Sequence, residues 1–110
     1  MSSGTFCNLH NFTIDKIHDK GGETSGTYTL ISGYKFSYFR MLGFYCMGYN
    51  NVFSLVIPVG LFTASTNYGF FSNKISDEYY FTVKYVNDTQ YTLGLSSALA
   101  NGHVWVYGYR

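Results

Sequence analysis

The chain has 110 residues, and 21% of them are Phe, Tyr or Trp: 12 Tyr, 10 Phe and 1 Trp. Charged residues make up 12%, against about 25% in an ordinary globular protein. The length fits one domain that buries roughly two-thirds of its unfolded surface. The aromatics and the low charge exclude intrinsic disorder. With only 3 Ala, 2 Glu and 1 Gln, a helical bundle or coiled coil is excluded as well. The net charge of +1 supplies no electrostatic footprint for nucleic acid or an anionic membrane.

In chain order, Met1 to Gly4 lacks the basic and apolar regions of a secretion signal and reads as a leader or spacer, with a single domain over residues 5–110. Phe6 to Lys16 is a candidate opening strand region, and Asp19-Lys20-Gly21-Gly22 reads as a break that continues as a loop to Gly26. Thr27 to Ile31 is a short strand and Ser32-Gly33 a turn. Tyr34 to Met47 reads as one long central strand, with Phe36, Tyr38, Arg40, Leu42, Phe44 and Cys46 on one face and Phe39, Met41, Tyr45 and Met47 on the other. Gly48-Tyr49-Asn50-Asn51 is a turn, and Val52 to Ile57 is a strand ended by Pro58. Leu61-Phe62 reads as a core plug, and Tyr68 to Phe71 as a short strand.

Glu78 to Val86 alternates, with Tyr79, Phe81, Val83 and Tyr85 on one side, and turns through Asn87-Asp88-Thr89 into Gln90 to Ser96. His103 to Tyr109 closes the chain, with Val104 and Val106 facing one way and Trp105, Tyr107 and Tyr109 the other. Turn residues every ten positions or so predict an all-β fold, an antiparallel β-sandwich of about eight strands, jelly-roll-like. No stretch reaches the roughly 18 apolar residues of a membrane span, so no membrane insertion is expected.

The chemistry of catalysis and metal binding is thinly represented. The carboxylates Asp15, Asp19, Glu23, Asp77, Glu78 and Asp88 all fall in or beside predicted turns. A glycosidase needs one carboxyl in an apolar pocket that raises its pKa. No motif joins Cys7 or Cys46 to His10, His18 or His103 as a nucleophile pair. His10 and His18 would stand about 26 Å apart on a continuous strand, and no zinc spacing appears. The sequence therefore predicts no catalytic residues, no metal, no cofactor and no nucleic-acid partner. Cys7 and Cys46 can form one disulfide, and two thiols are the favoured expectation.

The surplus aromatics are the functional clue, since Tyr and Trp join a stiff apolar ring to a polar tip and are enriched at binding patches. Trp105, Tyr107 and Tyr109 predict an outward stripe that meets either a ligand or another subunit. Tyr49 with Asn50, and Asn67 with Tyr68, pair a ring with an amide, a combination suited to sugars.

Taken together, Gly26 to Leu30, Ser32 to Lys35, Val56-Ile57-Pro58, Leu61-Phe62, the Tyr79 to Leu95 hairpin and the terminal Val104-Trp105-Val106-Tyr107-Gly108-Tyr109-Arg110 form a familiar order. From about Thr5 to Arg110 it resembles the C-terminal receptor-binding domains of bacteriophage tail fibres and related virion adhesins. The resemblance implies a non-enzymatic head, usually a homotrimer, that binds a bacterial surface saccharide or protein receptor. It would be made in the host cytoplasm and placed at the fibre tip of the virion. It carries over no binding residues by position. Phe39, Tyr45, Trp105 and Tyr107 are the expected subunit contacts. Such heads follow a shaft, so the resemblance also implies a fragment or a separately encoded head. A structural virion protein, and a free-standing lectin-like module, are the alternatives.

Overall fold

The computed structural model describes residues 13–48, 51–73, 78–96, 99 and 102–110. Eight strands are β1 (Ile14–Glu23), β2 (Gly26–Thr29), β3 (Met41–Gly48), β4 (Asn51–Pro58), β5 (Asn67–Asn73), β6 (Glu78–Asn87), β7 (Gln90–Leu95) and β8 (Gly102–Tyr109). They form two four-stranded antiparallel sheets, ordered β1-β8-β3-β4 and β2-β7-β6-β5. The sheets pack as a sandwich, which is the predicted class. This strand order does not by itself establish a jelly roll.

The core lies between the sheets. The first sheet contributes Leu42, Phe44, Cys46, Ile57, Val104 and Val106. The second contributes Phe81, Val83, Tyr91, Leu93 and Leu95. At its centre the Phe44 ring sits 5.4 Å from both Phe62 and Tyr91, and Phe36 stands edge-on to Phe62 at 5.2 Å. Each fully buried ring of this size is worth roughly 1.5–3 kcal/mol of transfer free energy, and favourable ring pairs add about 0.5–1.5 kcal/mol each. Of the predicted inward set of the β6–β7 hairpin, Phe81, Val83, Tyr91, Leu93 and Leu95 are buried and Tyr85 is half-buried, and the Tyr79 side chain lies outside the described residues.

Three expectations are corrected. First, β1 runs through Asp19 to Gly22 instead of breaking there. It stays paired with β8 from Ile14 opposite Tyr109 to Glu23 opposite Gly102, and its register slips at Lys16/His18 and at Lys20/Glu23. The surplus residues are absorbed as bulges. Gly22, at φ 70°, takes the left-handed conformation at one of them. At the other, the extra residue turns the consecutive pair Ile17 and His18 inward, so both are buried. Asp15 and Asp19 thus stand on a strand, not in turns.

Second, the long strand over Tyr34 to Met47 does not form. Phe36–Tyr38 is a 3-10 turn, and β3 begins at Met41. A 3-10 turn eclipses residues i and i+3, so Phe36 and Phe39, opposed in a strand, both point inward. The Phe39 N–H bonds the Phe36 carbonyl at 3.1 Å. Phe39 is only 4% exposed. It belongs to this chain's own core and not to a subunit contact. Third, only half of the Leu61-Phe62 plug enters the core: Phe62 is buried, whereas Leu61 is exposed at the end of a second 3-10 turn, Val59–Leu61.

The turn at Phe36–Tyr38 is latched to the second sheet. Asp88, in the β6–β7 connection, accepts hydrogen bonds from the Ser37 N–H at 2.9 Å and the Ser37 hydroxyl at 2.5 Å. The Asp88 carbonyl accepts the Phe36 N–H at 2.9 Å.

Candidate binding face

The outer face of the first sheet follows from strand alternation. Along β8, Val104, Val106 and Gly108 are buried, while His103, Trp105, Tyr107 and Tyr109 are half-buried on the opposite side. The β3–β8 register sets Tyr45 opposite Trp105 and Gly43 opposite Tyr107. The missing side chain at Gly43 is what brings the tyrosines together. A Cβ there would lie 2.7 Å from the Tyr45 ring and 2.9 Å from the Tyr109 hydroxyl. Over that gap the Tyr45 and Tyr109 hydroxyls share a hydrogen bond of 2.6 Å. Tyr45 and Tyr107 stand edge to face at 5.6 Å.

The result is an open depression of about 410 Å³ lined by Ile14, Tyr45, Val52, Trp105, Tyr107 and Tyr109. Four of these six are aromatic, from β3 and β8, and the edge strands β1 and β4 add one aliphatic wall each. One rim is polar. Asp19 accepts a hydrogen bond from Lys16 at 2.8 Å and another from His103 Nε2. The His103 imidazole stacks on the Trp105 indole at 4.3 Å between centroids. The Lys16 ammonium, followed by His103, holds the Asp19 carboxyl below its usual range, and Asp19 in turn raises Lys16.

The Tyr109 hydroxyl is pushed up to about 12, first by burial and then by its bond to Tyr45. A raised tyrosine pKa stabilises the fold fully below the ordinary value near 10. That stability is lost as pH climbs from there toward 12, because the unfolded chain ionises first. Urea titrations between pH 9 and pH 12 should show wild-type stability falling more steeply than that of Tyr109→Phe. Parallel curves would remove the assignment.

The structure brings Trp105, Tyr107 and Tyr109 together with Tyr45 on this face, and it does not bring Asn67 and Tyr68 there. Those two lie on β5 of the other sheet, where the Tyr68 ring packs 6.3 Å from Phe62 and its hydroxyl bonds the Leu61 carbonyl. Tyr49 and Asn50 fall outside the described residues, as do Cys7 and His10. Cys46 is fully buried. His18 is buried between Tyr28 and Tyr91, 5.9 and 5.7 Å away. No group of three metal-ligating side chains occurs among the described residues.

Sequence reasoning missed Ile14, Val52 and the Asp19–His103 rim. The two aliphatics follow from period-two alternation once β1 and β4 are known to flank β8 and β3, and Asp19 was obscured by the loop assigned to it. A second cleft, of about 250 Å³, lies beside Phe36, Phe62 and Tyr85. Its only carboxylate, Asp88, already spends both oxygens on Ser37. Comparisons with protein-family models, curated proteins and solved structures found no match.

Proposed function

We propose that this chain is a non-enzymatic recognition domain that docks a saccharide of a bacterial surface on the outer face of its first sheet, the role of a tail-fibre head. The observation that carries this reading is the depression formed by Tyr45, Trp105, Tyr107 and Tyr109. Its volume falls within the range of small-ligand sites, which are mostly apolar with a few placed polar groups. A pyranose offers an apolar C–H face for the rings and hydroxyls for the Asp19, Lys16 and tyrosine oxygen and nitrogen atoms at the rim. The rings already pack on one another and on the sheet, so little side-chain freedom is lost on binding.

Binding to a glycan array and to intact bacteria tests it. Trp105→Ala should weaken binding by roughly tenfold or more, the effect of removing a central aromatic anchor, while the chain stays folded and its molecular mass in solution is unchanged. Undiminished binding in that variant removes Trp105 from the site.

A second reading is that the same face meets sister subunits in a homotrimer of a virion assembly protein. It is favoured by exposed Ile14 and Val52 at the margins of the depression, which extend the apolar surface beyond one sugar ring. A trimer that binds no glycan and dissociates on Tyr107→Ala would establish that reading instead.

A further inference from the structure

The two sheets have four edge strands, β1 and β4 in the first and β2 and β5 in the second. Unpaired edges invite another chain unless something blocks them. β1 is bulged twice and carries Asp15, Lys16, Asp19 and Lys20. β2 has four residues. β5 keeps register with β6 but carries Gly69, at φ 157°, a residue that weakens a strand interior. β4 has none of these devices. Its eight residues, Asn51 to Pro58, hold no charge and no glycine, and they pair with β3 without a register shift. Only Pro58, at the end, lacks an N–H.

The direction of its free groups can be read from the same register. In an antiparallel ladder alternate residues bond the neighbouring strand. The Val59 N–H bonds the Arg40 carbonyl at 2.9 Å, continuing the β3–β4 pairing. Odd-numbered residues of β4 therefore face β3, and the N–H and C=O groups of Val52, Ser54 and Val56 point to the open edge. Among the described residues no strand pairs there. The side chains of Val52 and Val56 are 59% and 56% exposed on the outer face.

We infer that β4 pairs antiparallel with β4 of a second copy of this chain, about a two-fold axis at Ser54. This register is self-complementary. Ser54 opposes the second copy's Ser54, and Val52 opposes the second copy's Val56, each pair exchanging both backbone hydrogen bonds. On the outer face valines meet valines around a serine pair, a favourable cross-strand set with no like charges. On the inner face Phe53 opposes the second copy's Leu55. The two first sheets become one continuous eight-stranded sheet that leaves both aromatic depressions open on the same side. The inference does not rest on what those depressions bind.

The oligomeric state of the full chain tests it. Sedimentation should show a dimer in the wild type. Ser54→Lys sets two ammonium groups opposite each other and should abolish the dimer while leaving a folded monomer by circular dichroism, since Ser54 is exposed in the single chain; any fall in melting temperature should be only that lost with association. In a Cys7→Ser background, Ser54→Cys should form an intermolecular disulfide on mild oxidation, because directly opposed hydrogen-bonded residues have Cα atoms about 5.5 Å apart, within disulfide range. Trp105→Ala should leave the dimer intact. A wild-type monomer or trimer, a dimer that survives Ser54→Lys, or a dimer that fails to cross-link through Ser54→Cys each overturns the inference. A monomer that dimerises only after removal of residues 1–12 overturns it too, and would show that the chain's own N-terminal segment covers the edge.

Discussion

Phe44→Ala is expected to lower the unfolding free energy by about 3–5 kcal/mol, the range for truncating a buried aromatic. Phe44 is wholly buried, and its ring stands 5.4 Å from both Phe62 and Tyr91 and 6.4 Å from Phe36. It is held by β3, Phe36 by a 3-10 turn, Phe62 by the residue after another, and Tyr91 by β7. Its removal leaves a cavity lined by rings fixed to four separate pieces of backbone, which cannot collapse together. A domain of this size has about 5–15 kcal/mol in total, so the variant should lose at least a fifth of it. Urea unfolding read by circular dichroism measures the loss. A cost no larger than about 1 kcal/mol, typical of an average substitution, would mean that Phe44 is not the centre of the core.

The second large effect is expected at Gly108. It lies on the inner side of β8, and a Cβ built there falls 2.5 Å from three atoms of the Phe39 ring, the ring carbon nearest the backbone among them. Phe39 has no room to retreat, being buried, with the Arg110 guanidinium 4.9 Å from its ring centroid. Gly108→Val should cost about 1–3 kcal/mol or more, as overpacking does. The double variant Gly108→Val, Phe39→Ala should recover part of that cost, because the two sites are coupled by direct contact. Additive losses in the double variant would show that the ring is not the obstacle. Gly43, on the neighbouring strand but facing out, makes the comparison: its Cβ would meet only the far ends of Tyr45 and Tyr109. Those can swing toward solvent, so Gly43→Val should spare stability and disturb the binding face instead.

Both glycines show how the aromatic surplus is accommodated. In each case ring atoms occupy the space a side chain would take, those of Phe39 on the core side at Gly108 and those of Tyr45 on the outer side at Gly43.

What the sequence by itself determined is whatever depends on local period and composition. The all-β class, the β6–β7 hairpin, the end of β4 at Pro58 and the two faces of β8 all follow from alternation and turn residues. Alternation is imposed by the backbone of any extended strand. The outward stripe of Trp105, Tyr107 and Tyr109 was legible for the same reason. The tertiary structure decided what depends on neighbours far along the chain. Asp19 to Gly22 looks like a turn, yet β8 supplies partners that carry β1 across it, with bulges absorbing the extra residues. Phe39 looks like the second face of a strand. The latch from Asp88, 51 positions away from Ser37, closes a 3-10 turn beneath it, and the core then claims both Phe36 and Phe39. Which of the edges stays open is likewise a property of sheet order and not of local pattern. β4 reads as an apolar strand in either setting, and only its place at the end of β1-β8-β3-β4 leaves its outer hydrogen-bonding groups without a neighbouring strand among the described residues.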